Sequence, residues 1–90
     1  MATRGLSLMF EVNVTIGLKK GVSDPEGANT LKALRLLGFD KVKEAKTTRT
    51  INLLIDGSSA AEVKKSADQM CQRLLTNPIV HTYMIKVREK

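Results

Sequence analysis

The 90-residue sequence predicts an α+β fold: a two-layer sandwich in which two helices cover a four-stranded antiparallel sheet. Three observations predict it. One segment alternates strictly between apolar and polar residues, two capped segments carry apolar residues at helical spacing, and shorter extended segments lie between and after the helices. Because two helices are too few to cover both faces of such a sheet, we expect both on one face.

The first strand is the clearest element. Apolar side chains alternate with polar ones from Phe10 to Leu18, which is typical of a half-buried strand with one apolar face. We interpret residues 1–8 as a loose N-terminal tail and residues 9–90 as a single domain.

The first helix follows a short basic loop. Asp24 is the predicted N-cap, and Pro25 the first helical residue, where its missing N–H costs nothing. Leucines recur at helical spacing at positions 31, 34 and 37. Gly38 is then a predicted left-handed C-cap, so the helix spans about 25–37.

Two extended segments come next. A weak one covers 42–48, and a stronger one carries Ile51, Leu53 and Ile55 in alternation. We expect them to be neighbours in the sheet. The residues between them, 47–50, form either a tight hairpin or part of one long bent strand.

The second helix begins with a predicted capping box, Ser59 to Glu62. Asn77 and Pro78 end it, and a last strand carries Tyr83 and alternating apolar residues after it. The element order is therefore β-α-β-β-α-β, which is ferredoxin-like. The predicted apolar face of the second helix comprises Val63, Ala67, Met70 and Leu74, with Cys71 beside it.

Composition argues against several functional classes. The net charge of +6 favours an acidic partner or nucleic acid, but three aromatic residues are too few for base stacking, so no nucleic-acid partner is expected. No apolar run reaches about 18 residues, so no membrane partner is expected either. A single cysteine cannot form an intrachain disulfide, which fits a cytoplasmic location.

The chain offers little for catalysis. Cys71 lies on an apolar helix face without a nearby base, and His81 stands alone. One histidine and one cysteine cannot build a zinc site, and no phosphate-binding loop is present. We therefore predict no catalytic residue, metal or cofactor on this chain. Leu54 and Met84 should face outward from the sheet, which favours self-association.

Three segments carry a family resemblance: the D-P-x-G loop in 21–27, the helix end in 34–42, and the C-x-x-L-L-x-N-P segment in 70–80 followed by Tyr83. Together, from about Met9 to the end of the chain, they resemble PurS, the small subunit of phosphoribosylformylglycinamidine synthase.

This resemblance implies a non-catalytic bridging subunit in de novo purine synthesis. The complete enzyme converts formylglycinamide ribonucleotide, ATP and glutamine to formylglycinamidine ribonucleotide. The PurL synthetase subunit is expected to hold ATP and Mg²⁺, and the PurQ glutaminase subunit to release ammonia. PurS, as a dimer or a dimer of dimers, would join the two.

The expected partner contacts follow from the same motifs. The partner-contact candidates are Asp24, Pro25, Gly27, Arg49 and Asn77. Members of the family usually carry Gly-Lys where this chain has Thr48-Arg49.

The alternative function is an ACT-like module that senses a small molecule near 21–27. An RNA-binding domain of the same topology is a third, less favoured interpretation.

Overall fold

The computed structural model describes residues 8–90. Most of the predicted tail thus lies outside the described residues, and Leu8 opens the first strand. In the described part, neither helix has the length and apolar character needed to cross a bilayer. The elements are β1 (Leu8–Leu18), α1 (Pro25–Leu36), β2 (Arg49–Gly57), α2 (Ala60–Met70) with a π-helical turn (Cys71–Leu75), and β3 (His81–Glu89).

The sheet has three strands in the order β2-β1-β3, and both pairings are antiparallel. Val12 at the centre of β1 lies opposite Leu53 on one side and Val87 on the other. The α+β class is confirmed, but the predicted four-stranded sheet is wrong.

The missing strand is the segment 42–48, which has no regular structure. Its only apolar residues, Val42 and Ala45, are three positions apart and would fall on opposite faces of a strand. The backbone N–H of Thr47 donates instead to the Asp24 carboxylate, at 2.8 Å. The segment therefore serves to anchor α1.

The core lies between the sheet and α2. Alternate residues of β1 supply one side of it, as the apolar pattern predicts. The helical side of the core is small: only three residues of α2 and the π-helical turn are fully buried. The buried core comprises Phe10, Val12, Val14, Ile16, Val63, Ala67 and Cys71.

Helix α1 ends as predicted. Gly38 has φ 98°, and its N–H donates to the Arg35 carbonyl while the N–H of Phe39 donates to the Leu34 carbonyl, each at 3.0 Å. This is a Schellman cap, and it needs the left-handed conformation that glycine adopts at little cost.

Contrary to prediction, α1 does not cover the sheet; it makes only marginal contact with the strands. Leu36 and Leu37 are 79% and 74% exposed, and Phe39 is 56% exposed. Three strands about 4.8 Å apart form a sheet roughly 10–14 Å wide, about the diameter of one helix with its side chains. Helix α2 occupies that width, so the apolar side of α1 stays uncovered.

The π-helical turn shifts the apolar face at the end of α2. Both the N–H and the hydroxyl of Thr76 donate to the Cys71 carbonyl, at 3.0 and 2.8 Å, which closes a wider turn than an α-helix has. Leu74, a predicted core residue, is consequently 80% exposed. Leu75 packs against the core in its place.

This shift predicts different costs for two adjacent leucines. Leu75→Ala should lower the free energy of unfolding by about 1–3 kcal/mol, because removing the leucine side chain leaves a gap beside the core. Leu74→Ala is the matched control and should change it by less than about 0.5 kcal/mol. Urea unfolding of both variants measures the difference. Equal losses would show that Leu74 also packs against the core in solution.

Candidate partner-contact site

A cleft of about 850 Å³ separates α1 from one end of the sheet. The first two turns of α1 form one wall, and the end of β1 and the start of β2 form the other. Asp24, Pro25 and Arg49, three of the predicted contact residues, line this cleft together with His81. The structure thus brings together residues that are 24 or more positions apart in sequence.

Asp24 connects the two walls. Its Oδ1 accepts the N–H of Gly27 at 2.9 Å, which is the predicted N-cap. Its Oδ2 accepts the N–H of Thr47 at 2.8 Å, across 23 positions of sequence. The bond from Thr47, followed by that from Gly27, holds the pKa of the Asp24 carboxyl below its ordinary value, because both stabilise the charged form.

Gly27 is buried beneath this connection. A Cβ at this position would lie 2.5 Å from the Ala45 carbonyl oxygen and 2.5 Å from Oδ2 of Asp24. Only glycine permits this close approach between α1 and the segment 42–48. Gly27 therefore shapes the site from below and offers no side chain to a partner.

Arg49 is the first residue of β2 and lies opposite Ile16 of β1. Its side chain is exposed, and it forms no ion pair with any of residues 8–90. A cation held at the mouth of a cleft by the end of a strand is well placed to contact an acidic surface.

Asn77 does not line the cleft but shapes the turn before β3. Its side-chain oxygen accepts the N–H of Ile79 at 3.0 Å, and its carbonyl accepts the N–H of His81 at 2.8 Å. The N–H of Asn77 in turn donates to Nδ1 of His81, at 2.9 Å. The residue thus acts through His81, which does reach the cleft.

Sequence reasoning missed two members of this site. His81 stands alone in the sequence, although an Asn-Pro turn four positions earlier is a signal that could have connected it to Asn77. Thr47 contributes through its backbone N–H, and because any residue except proline has this group, the amino-acid sequence gives no signal for it.

The pKa shifts of Cys71 and Tyr83 have structural causes and do not indicate catalysis. Burial raises the pKa of the Cys71 thiol, and the charge of Asp68 raises it further, so the thiolate needed for a nucleophile is disfavoured. The Tyr83 hydroxyl donates to Asp68 at 2.6 Å, which raises the pKa of Tyr83 and connects β3 to α2. Residues 8–90 contain no cluster of potential metal ligands.

The Asp24 contacts predict a measurable effect on stability. Asp24→Ala should lower Tm by about 4–8 °C, the usual effect of losing a helix cap in a domain of this size. Asp40→Ala, at an exposed position after the same helix, is the control and should leave Tm nearly unchanged. A wild-type Tm for Asp24→Ala would show that the carboxylate does not hold α1.

The pH dependence has a defined sign. Because the folded-state pKa of Asp24 lies below its ordinary value of 3.8, its stabilising contribution is complete above that value and is lost as the pH falls through the folded-state pKa. The difference in Tm between the wild type and Asp24→Ala should therefore shrink below about pH 4.

Comparison with known proteins identifies relatives that span nearly the whole chain. Residues 11–89 match the family described as PurS, phosphoribosylformylglycinamidine (FGAM) synthase. The phosphoribosylformylglycinamidine synthase subunit PurS of Archaeoglobus fulgidus is 47% identical over 77 residues, which are 86% of this chain and 96% of that protein.

Two solved structures share the fold. The crystal structure of PurS from Methanocaldococcus jannaschii, one of the subunits of formylglycinamide ribonucleotide amidotransferase in the purine biosynthetic pathway, aligns with a TM-score of 0.84 at 41% identity and covers 90% of this chain and 98% of that chain. A chain of the PurLQS structure from Thermotoga maritima aligns with a TM-score of 0.79 at 26% identity, over 91% and 98% of the two chains. The chain belongs to the PurS family of phosphoribosylformylglycinamidine synthase.

Proposed function

We propose that this chain is the bridging subunit of a phosphoribosylformylglycinamidine synthase, in which it holds a PurQ glutaminase against a PurL synthetase. The complex makes formylglycinamidine ribonucleotide from formylglycinamide ribonucleotide, ATP and glutamine. The observation that carries the proposal is the PurS family match over residues 11–89, and the likeness to a chain of PurLQS supports it. The same match favours this function over an ACT-like sensor.

The proposed contact surface is the 850 Å³ cleft with its rim. Arg49 would meet an acidic group of a partner, while Pro25 and Ala33 supply apolar surface on the α1 wall. Asp24, Gly27 and Asn77 act indirectly, since they hold the walls of the cleft in place through backbone hydrogen bonds. A partner inserted there would contact both α1 and the sheet.

Self-association is the second part of the proposal. Leu54 and Met84 are 55% and 62% exposed, as expected, but lie on opposite edge strands of the open sheet face, with Asn13 of the central strand between them. The larger apolar surface is the end of α1, and we assign the contact between copies to it. Its exposed residues are Leu36, Leu37 and Phe39.

Within this complex the chemistry belongs to the partners. ATP and Mg²⁺ would bind the PurL subunit, and ammonia would be released in PurQ, so this chain contributes geometry. Purine synthesis from soluble nucleotides and glutamine would place the complex in the cytoplasm.

Reconstitution tests the proposal. PurL and PurQ from the same organism are assayed for formylglycinamidine ribonucleotide formation, with glutamine or with ammonium chloride as the nitrogen source. Adding this chain should be required for the glutamine reaction and should leave the ammonia reaction unchanged. Equal glutamine-dependent rates with and without the chain would contradict the bridging role.

A further inference from the structure

A second cleft, of about 730 Å³, adjoins the first on the side of the basic loop. Its walls are the turn after β1 and the segment 44–48. Three lysines line it: Lys19 and Lys20 from the turn and Lys46 from the opposite wall. A concave space of this size is within the usual range for small-molecule sites, about 300–1,000 Å³.

Three lysines and two carboxylates, Asp24 and Glu44, line this cleft, so the lining carries a formal net charge of +1. Glu44 lies 3.8 Å from Lys46 (Oε2 to Nζ), and both side chains are mostly exposed, so the pair is weak and easily replaced. Asp24 directs both carboxylate oxygens at backbone N–H groups. Lys19 and Lys20 form no ion pair with any of residues 8–90.

The basic turn is held in one conformation. The N–H of Lys19 donates to the Val80 carbonyl at 2.8 Å, and the N–H of Val22 donates back to the Lys19 carbonyl at 3.1 Å. Gly21 has φ 87°, a conformation that permits this tight turn. The backbone of the two lysines is thus held at the rim, so binding a ligand there does not have to order the loop as well.

The floor of the cleft contains a gap beside Gly17. A Cβ at this position would lie 3.5 Å from Oγ1 of Thr82 and 3.7 Å from Cγ2 of Thr48, so its absence leaves space between two threonine side chains. The Thr82 hydroxyl is a hydrogen-bond donor at the edge of this space. Ammonium groups around a gap with a hydroxyl donor match the needs of a phosphoryl group.

We propose that this cleft binds the phosphoryl group of a nucleotide-sized phosphate ester, with Lys19, Lys20 and Lys46 as its cationic partners. Single-stranded nucleic acid would need stacking rings, and the residues that line this cleft include no aromatic side chain. The site goes beyond the bridging function, and it is tested on the isolated chain, so failure of one does not imply failure of the other.

The test is a titration of the full-length, ¹⁵N-labelled chain with AMP, ATP and inorganic phosphate at low salt. Saturable shifts of the Gly17, Gly21, Thr48 and Thr82 amides are expected. AMP should bind more tightly than inorganic phosphate, because the cleft also accommodates the nucleoside. The triple variant K19Q/K20Q/K46Q should bind AMP about 100-fold more weakly, at roughly fivefold for each lost ammonium.

Two further variants distinguish binding at the cleft from attraction to the net positive charge of the chain. K32Q/K64Q/K65Q removes the same charge from exposed helix positions that do not line the cleft and should bind AMP as the wild type does. Gly17→Ala adds a methyl group at ordinary contact distance, so it should fold normally and still weaken AMP binding by filling the gap without adding a hydrogen-bond donor.

Three results would overturn the inference. One is the absence of saturable AMP binding up to roughly 10 mM, since a site with a millimolar Kd would be nearly saturated at that concentration. Another is an equal loss of affinity in the two triple variants, which would assign binding to net charge. The third is equal affinity for AMP and inorganic phosphate, which would exclude a site built for an ester.

Discussion

Arg49→Glu should lower glutamine-dependent synthesis by about 5- to 150-fold at limiting subunit concentration, while ammonia-dependent synthesis stays near the wild-type rate. The expected loss corresponds to about 1–3 kcal/mol of subunit contact. Arg49 is exposed at the start of β2, beside the cleft shared with Asp24 and Pro25. Reversing its charge puts like charges together at an acidic partner surface, and only the glutamine reaction needs the glutaminase held in place.

Lys65→Glu is the matched control, because it changes the charge by the same amount on the exposed side of α2. It should leave both reactions unchanged. An excess of the Arg49→Glu chain should restore glutamine-dependent turnover, since the defect lies in assembly. If both variants lose the same activity, net charge is the cause; if the ammonia reaction falls as well, Arg49 affects the synthetase itself.

Gly27→Ala should lower the free energy of unfolding by about 1–3 kcal/mol, the usual cost of overpacking. At an unobstructed helical position the same change would gain about 1 kcal/mol, so the sign is the informative part. The new methyl group would have to displace the Ala45 carbonyl or the Asp24 carboxylate, each 2.5 Å away. Either movement separates α1 from segment 42–48 and opens the cleft.

Amide hydrogen exchange shows where this damage occurs. The Thr47 N–H, which donates to Asp24, should exchange faster in Gly27→Ala, whereas the β1 amides should lose only the protection that follows from global stability. Asn29→Ala, at an exposed position of the same helix, should be neutral or slightly stabilising. A stabilised Gly27→Ala would show that the two walls are not in close contact in solution.

Local signals in the sequence predict the individual elements well. Strict alternation places Phe10 and its partners in β1, and the caps Asp24 and Gly38 bound α1 within one residue. These signals succeed because they depend on dihedral angles and hydrogen bonds within a few residues. On the predicted face of α2, Val63 and Ala67 are buried, but Met70 is 37% exposed and Cys71, where the π-helical turn begins, is buried in its place.

Tertiary placement is predicted less well. The segment 42–48 resembles a weak strand in propensity, and nothing local shows that Thr47 will bind Asp24 instead of a neighbouring strand. The predicted position of α1 on the sheet is wrong for the same reason, because without a fourth strand the sheet is too narrow to carry two helices. The candidate site shows the same division: Asp24, Pro25 and Arg49 follow from family motifs, whereas the part played by His81 depends on a turn that only the folded chain reveals.

The contact between copies that we propose at the end of α1 would make the stability of this protein dependent on concentration. Burial of Leu36, Leu37 and Phe39 can contribute to the folded state only when a second molecule is present. By mass action, a binder at a hundredfold excess over its Kd adds about 2.7 kcal/mol. Unassembled copies would accordingly be the least stable and the first to be lost to unfolding and proteolysis. The supply of partners would thereby set how much of this subunit persists, without any dedicated regulator.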